Sequence, residues 1–148
     1  MKGFTLIEVI VTMAILSILA SGIIPLSQVT YRRTREAELR RNLRVIRSAL
    51  DEYKRMVDVK MIAVGPMDSG YPASLEVLVT GVPIKGALKK KVKLLRRVPK
   101  DPMTPEGQWG LRAYADEPDA RIWGGQDIYD IYSKSEKQAL DGTYYGDW

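Results

Sequence analysis

The pattern of polar and apolar positions divides the chain into three stretches of different character. From Val9 to Tyr31 no charged residue occurs. At about 1.5 Å per helical residue, that run is long enough to cross a hydrocarbon core of roughly 30 Å, so it predicts a membrane-spanning helix over residues 4–26. One carboxylate, Glu8, stands near its start. Over residues 27–60 the pattern changes: Leu39, Leu43, Ile46, Leu50, Tyr53 and Val57 recur at spacings of four and three, the stripe of an amphipathic helix with one buried face. Between the two, Gly22 and Pro25 interrupt the apolar stretch. Proline removes a backbone donor and crowds the preceding turn, so a kink is expected there, at about 3 kcal/mol where it is not relieved.

Beyond Met61 helical periodicity stops, and short apolar pieces alternate with Gly-Pro, Asp-Pro and Thr-Pro breaks. Residues 74–79 (SLEVLV) read as a short helix with Ser74 as its cap, followed by a loop and the basic run 89–93 (KKKVK). Residues 109–114 and 127–132 alternate in the manner of strands with one buried face and predict a small antiparallel sheet. The expected fold class is α+β: a long N-terminal helix, half anchor and half scaffold, with a small C-terminal sheet over residues 61–148 packed on its amphipathic stripe. Tyr144, Tyr145 and Trp148 either fold back on that sheet as core or form a docking tip.

Composition narrows the functions available. A chain of 148 residues holds one anchor and one small domain. It has no cysteine, so no disulfide closes any part of it, and no histidine, which removes imidazole bases, His-based triads and most transition-metal sites. No phosphate-binding glycine loop or activated nucleophile is visible, and a non-enzymatic role is expected. The net charge of +5 is localised. Residues 32–60 carry ten basic groups against five acids, whereas residues 61–148 carry twelve of each sign. The excess therefore belongs to one helix, and without interleaved aromatics it does not predict nucleic-acid binding. It reads as a solvated face, supported by the helical pairs Glu36 with Arg40, Glu38 with Arg41 and Asp51 with Arg55, or as a contact to acidic headgroups or neighbouring subunits.

The hexapeptide Gly3-Phe4-Thr5-Leu6-Ile7-Glu8 resembles the processing site of type IV pilins and type II secretion pseudopilins. That resemblance implies a leader of residues 1–3, cleavage between Gly3 and Phe4 by a prepilin peptidase, and N-methylation of Phe4. It also gives Glu8 a role in assembly, as the carboxylate neutralised by the terminal amine of a neighbouring subunit. The physics agrees: a carboxylate and an ammonium that meet in an apolar bundle offset each other's desolvation, while either alone is strongly unfavourable. A secretory signal peptide is the bland alternative, but the apolar run begins at once and has no clear small-residue cleavage site after it. The resemblance further implies a role for Pro25 in assembly, because helices of the family can lose regular hydrogen bonding near a proline at this position.

Two later segments select within the family. Residues 71–76 (YPASLE) and 98–102 (VPKDP) resemble the corresponding segments of type II major pseudopilins, and residues 131–133 with 139–142 resemble their calcium-binding C-terminal loop. Ser133, Asp141 and Asp147 with nearby carbonyls could furnish some of the oxygens a calcium ion needs, Asp141 being the best candidate by family position; the competing reading is that Asp141-Gly142 is a tight turn and Asp147 a solvated acid. The spacer 134–138 is longer than in the family loop and carries two lysines, and a proline-tryptophan-glycine turn is replaced by Pro102-Met103-Thr104. The implied function is that of a structural subunit stacked helically into a periplasmic filament that drives protein export. Its partners would be copies of itself, the peptidase, minor pseudopilins, the inner-membrane assembly platform and membrane lipid. A type IV pilin-like subunit for adhesion, motility or DNA uptake, and a tethered module that never polymerises, are the alternatives. The family topology is a single pass through a bacterial inner membrane with the C-terminal domain periplasmic. The bias of basic residues alone gives the opposite orientation, because the C-terminal flank is the more basic.

Overall fold

The computed structural model describes residues 3–86 and 91–148, with the side chains of residues 22–26 left aside. Its first element, helix α1, runs from Leu6 to Asp58. The chain divides into two units, Met1–Arg35 and Glu36–Trp148. The fold is α+β, a long N-terminal helix with small antiparallel sheets, consistent with a pilin-like architecture.

In the first unit every described side chain from Gly3 to Ser21 is exposed. The hydroxyls within this stretch are satisfied locally: Thr12 donates to the Val9 carbonyl (2.9 Å), Ser17 to that of Met13 (2.8 Å) and Ser21 to that of Ile18 (2.7 Å). The helix therefore presents an apolar surface whose few polar groups are bonded to their own backbone, the condition for contact with lipid or with other apolar helices.

In the second unit the predicted stripe is the core. Leu39, Leu43, Ile46, Leu50 and Tyr53 are buried and Val57 packs against them. They meet Leu75, Leu78, Val82, Leu95, Trp109, Ile128, Ile131 and Tyr145. Helix α1 closes with Lys60 in the left-handed region (φ 59°). There the Met61 amide donates to the Met56 carbonyl (2.9 Å) and the Lys60 amide to that of Val57 (2.8 Å), the paired bonds of a Schellman cap. Because Ile46 is fully buried, Ile46→Ala is expected to cost about 2–5 kcal/mol of folding stability, read as a lowered denaturant midpoint.

Helix α2 (Glu76–Thr80) lies where a short helix is expected. Its cap differs: Leu75, not Ser74, occupies the N-cap position, and no side-chain hydrogen bond closes it. Leu78 anchors the helix in the core, and its carbonyl accepts the amides of Leu94 and Leu95, both at 2.9 Å. Strands β1 (Val82–Pro83) and β2 (Lys91–Val92) form a two-residue antiparallel ladder.

The larger ladder joins β3 (Trp109–Arg112) to β4 (Asp130–Ser133), pairing Trp109 with Ser133 and Arg112 with Asp130. Gly110 lies opposite Tyr132, whose ring occupies the space that a β-carbon at Gly110 would need. The Tyr132 hydroxyl donates to the Arg121 carbonyl (2.9 Å), and the guanidinium of Arg112 lies 4.4 Å from the ring centroid. A single-turn 3-10 helix, Tyr145–Asp147, follows.

Arginines hold this C-terminal segment. Arg47 donates to Asp130 (2.7 and 3.3 Å), to the Ile131 carbonyl (3.1 Å) and to the Trp148 carbonyl (2.7 Å). Arg40 pairs with Asp141 at 3.2 Å and lies 4.0 Å from the Trp148 ring centroid, a cation–π contact. Glu36 accepts from the Leu140 amide (2.9 Å) and the Tyr145 hydroxyl (2.8 Å). Of the terminal aromatics, Tyr145 is buried and meets Trp148 edge to face at 5.3 Å, whereas Tyr144 is exposed.

Candidate processing and assembly site

The N-terminal site is built around a helix start. Thr5 precedes the first helical residue, and its carbonyl accepts the amides of Glu8 (3.1 Å) and Val9 (3.2 Å). The Thr5 hydroxyl also lies 3.4 Å from the Glu8 amide, the geometry of an N-cap. Thr5-Leu6-Ile7-Glu8 is thus the pattern of a capping box, a signal in the sequence that the processing motif overshadows. Glu8 stands in the first turn, where the helix dipole favours a carboxylate by about 0.3–1 kcal/mol when exposed.

Gly3 and Phe4 lie outside the helix. A β-carbon at Gly3 would meet nothing within 4 Å, and Phe4 is 81% exposed. The Gly3-Phe4 peptide is therefore free of helical hydrogen bonding and exposed. Removal of residues 1–3 leaves the Thr5 cap in place. Glu8 is exposed and its carboxylate has no partner among the described residues. The helix behind it exposes Leu6, Ile7, Ile10, Met13, Leu16 and Leu19 together, a surface far larger than scattered apolar positions and one that water does not favour.

A family model for the prokaryotic N-terminal methylation motif matches residues 1–24. No curated protein and no solved structure matches the chain. The motif supports a type IV pilin-like protein, anchored in a membrane, processed by a prepilin peptidase and assembled in a pilus-like manner. Among the described residues no helix is long and apolar enough to cross a membrane. The uncharged run of the sequence continues through residues 22–26, whose side chains are outside that set. The expectation for Pro25 falls there too.

The three candidate calcium ligands occupy different contacts. Ser133 is buried and donates to the buried Asp101 (2.7 Å), while its oxygen accepts the Ser135 amide (3.2 Å). Asp141 accepts from the Thr143 hydroxyl (2.6 Å) and amide (3.0 Å) and pairs with Arg40. Asp147 pairs with Arg121 at 2.6 Å. Ser133 and Asp147 line one cavity of about 460 Å³ together with Arg121 and Lys134, and Asp141 is not in that lining. No cluster of three acidic residues suited to a metal ion occurs among the described residues. Arg40 and Arg121 supply the positive charge that the Asp141 and Asp147 carboxylates meet.

Asp141 has a consequence for acid stability. Its carboxyl is held below the usual range first by the Thr143 hydroxyl and amide, and further by Arg40. A depressed folded-state pKa adds stability that is present above the unfolded value, about 3.9, and lost as pH falls through the folded value. Asp141→Asn is therefore expected to flatten the acid limb of the unfolding curve.

Sequence reasoning missed Asp101 as a centre of the fold. It is 1% exposed, and besides Ser133 it accepts the Met103 amide at 2.8 Å, tying the 98–102 turn to strand β4. Asp101→Ala leaves these donors unpaired in the interior. A loss of about 2–3 kcal/mol is expected in a denaturant titration.

Proposed function

We propose that this chain is the structural subunit of a type II secretion pseudopilus, processed at Gly3-Phe4 and stacked helically from the inner membrane to drive protein export. Its role is mechanical rather than catalytic. The observation that carries the reading is the N-terminal helix: a capped start with an unpartnered carboxylate in its first turn, followed by an apolar surface exposed in every described residue to Ser21. A second copy, offering the same apolar surface and a new terminal amine, answers both features at once.

The finer assignment to type II secretion rests on the likeness of residues 71–76 and 98–102. Both segments have structural work in this chain. Pro72 is buried and its carbonyl accepts the Ile128 amide (2.8 Å), while Asp101 binds Ser133. The absence of cysteine points away from the disulfide-closed form common among type IV major pilins. The test is electron microscopy of cells overproducing the full chain with and without an active prepilin peptidase. Short filaments that require the peptidase, together with loss of export when the gene is deleted, are the expected result. Filaments that serve surface adhesion with export intact would assign the chain to the type IV pilin-like class, and no filaments at all would leave a tethered monomer.

A further inference from the structure

The second unit carries two exposed charged surfaces of opposite sign that do not satisfy each other within one copy. In residues 91–100 the apolar side chains of Val92, Leu94, Leu95 and Val98 pack into or against the core. That packing turns Lys91, Lys93, Arg96, Arg97 and Lys100 to solvent. Among the described residues none of these five forms an ion pair, whereas Arg40, Arg47, Lys54, Arg55, Arg112 and Arg121 all do. The opposite surface is the turn at residues 116–119. Asp116 fixes it by accepting the amides of Ala113 (2.7 Å) and Gly124 (3.0 Å), and Glu117 and Asp119 stand exposed with no ion-pair partner among the described residues.

We propose that the basic segment 91–100 of one copy docks on the acidic turn 116–119 of the next. The proposal rests on the polymer reading above and names the contact that orients its subunits. The charge balance favours a second copy over a nucleic acid or another polyanion. Residues 61–148 hold twelve groups of each sign and are neutral overall, so this part of the chain carries no net positive field to draw a polyanion. Used head to tail, two different complementary patches on one subunit make a heterologous contact, which runs on from copy to copy as an open helical assembly where its rotation does not close into a ring. Exposed ion pairs add little affinity, but they fix orientation and penalise misaligned neighbours. The apolar helix supplies attraction and the charged poles supply register.

The absence of cysteine gives a clean assay in the full-length chain, because any disulfide must come from introduced residues. Lys93→Cys combined with Asp119→Cys is expected to give a ladder of oxidised multimers in membranes. In that background Arg96→Glu with Arg97→Glu should reduce the ladder about tenfold, and Glu117→Arg in place of the native acid should weaken it in the same sense. Combining the reversals restores opposite signs at the contact and is expected to bring the ladder back to within about twofold of the parent. Filaments of ordinary yield without any ladder would overturn this contact while leaving the polymer intact. No filaments and no ladder would overturn both. Loss with the arginine reversals that the combined variant does not rescue, with Glu117→Arg neutral, would assign the basic segment to an external polyanion and overturn the proposal.

Discussion

Gly3→Val is expected to leave the precursor uncut in the membrane, with the mature form reduced to near zero. The effect should be large because it acts on recognition of the scissile bond and not on the fold. A side chain at Gly3 meets nothing within 4 Å, so valine brings no clash, and the helix begins only at Leu6 behind its Thr5 cap. Folding, insertion and the Glu36–Trp148 core are all expected to survive the substitution. What changes is the residue on the leader side of the Gly3-Phe4 bond, where the processing motif places glycine. The measurement is intact-mass analysis of the membrane form in cells with an active peptidase. Wild type should begin at Phe4 and carry one added methyl group; Gly3→Val should retain Met1 or Lys2 and no methyl. A wild-type chain that keeps its first three residues, or a valine variant cut as well as wild type, would remove the basis for reading the N-terminus as a processing site.

Much of the fold was legible because burial on a helix is periodic. The stripe from Leu39 to Val57 needed only the 3.6-residue repeat, and the structure buries five of its six members and half-buries the sixth. The β3–β4 pair was legible in place, within residues 109–114 and 127–132, but the ladder covers only 109–112 and 130–133, and its burial runs in blocks along each strand instead of alternating between two faces. The polar contacts were not, since a charged helix residue has local and distant partners and the sequence displays only the local ones. Arg40 goes to Asp141 rather than Glu36, and Glu36 serves the Leu140 amide and the Tyr145 hydroxyl. Arg55 pairs with Glu52, three residues back, rather than with Asp51. Ser133 shows the same limit: the sequence offers it as a hydroxyl within a family-like segment, and only the fold shows that it donates to the buried Asp101. Strands β1 and β2 were invisible because two residues have no period, and β2 falls inside a run of lysines that reads as a loop. At the N-terminus the processing motif was legible, and it overshadowed the Thr5-x-x-Glu8 capping signal that the same residues carry.

Glu8→Leu should yield a chain that is stable, inserted and cleaved yet poor at forming filaments. Stability is expected because the helix start depends on Thr5 and on the Glu8 backbone amide, both of which the substitution leaves in place. Glu8 also lies outside the Glu36–Trp148 unit that holds the core. Insertion should if anything improve, since an ionised side chain in an apolar segment costs up to about 3 kcal/mol near the bilayer centre and less toward its edge, a penalty leucine does not carry. Assembly is where the loss falls. In the single chain the carboxylate has no partner among the described residues, so its attraction is realised only when a second subunit brings an amine into the same apolar surroundings. There each charge offsets the other's desolvation, and the pair selects one alignment out of the many that two smooth apolar helices would accept. Leucine removes both the attraction and the selection; aspartate keeps the charge on a shorter arm and should retain part of the activity if the amine is still in reach. The decisive quantity is filament yield divided by membrane abundance for wild type, Glu8→Leu and Glu8→Asp. A steep loss with leucine and an intermediate value with aspartate is the expected order. Equal yields at equal abundance would sink the pairing of Glu8 with a neighbouring amine and leave the apolar surface alone to drive assembly.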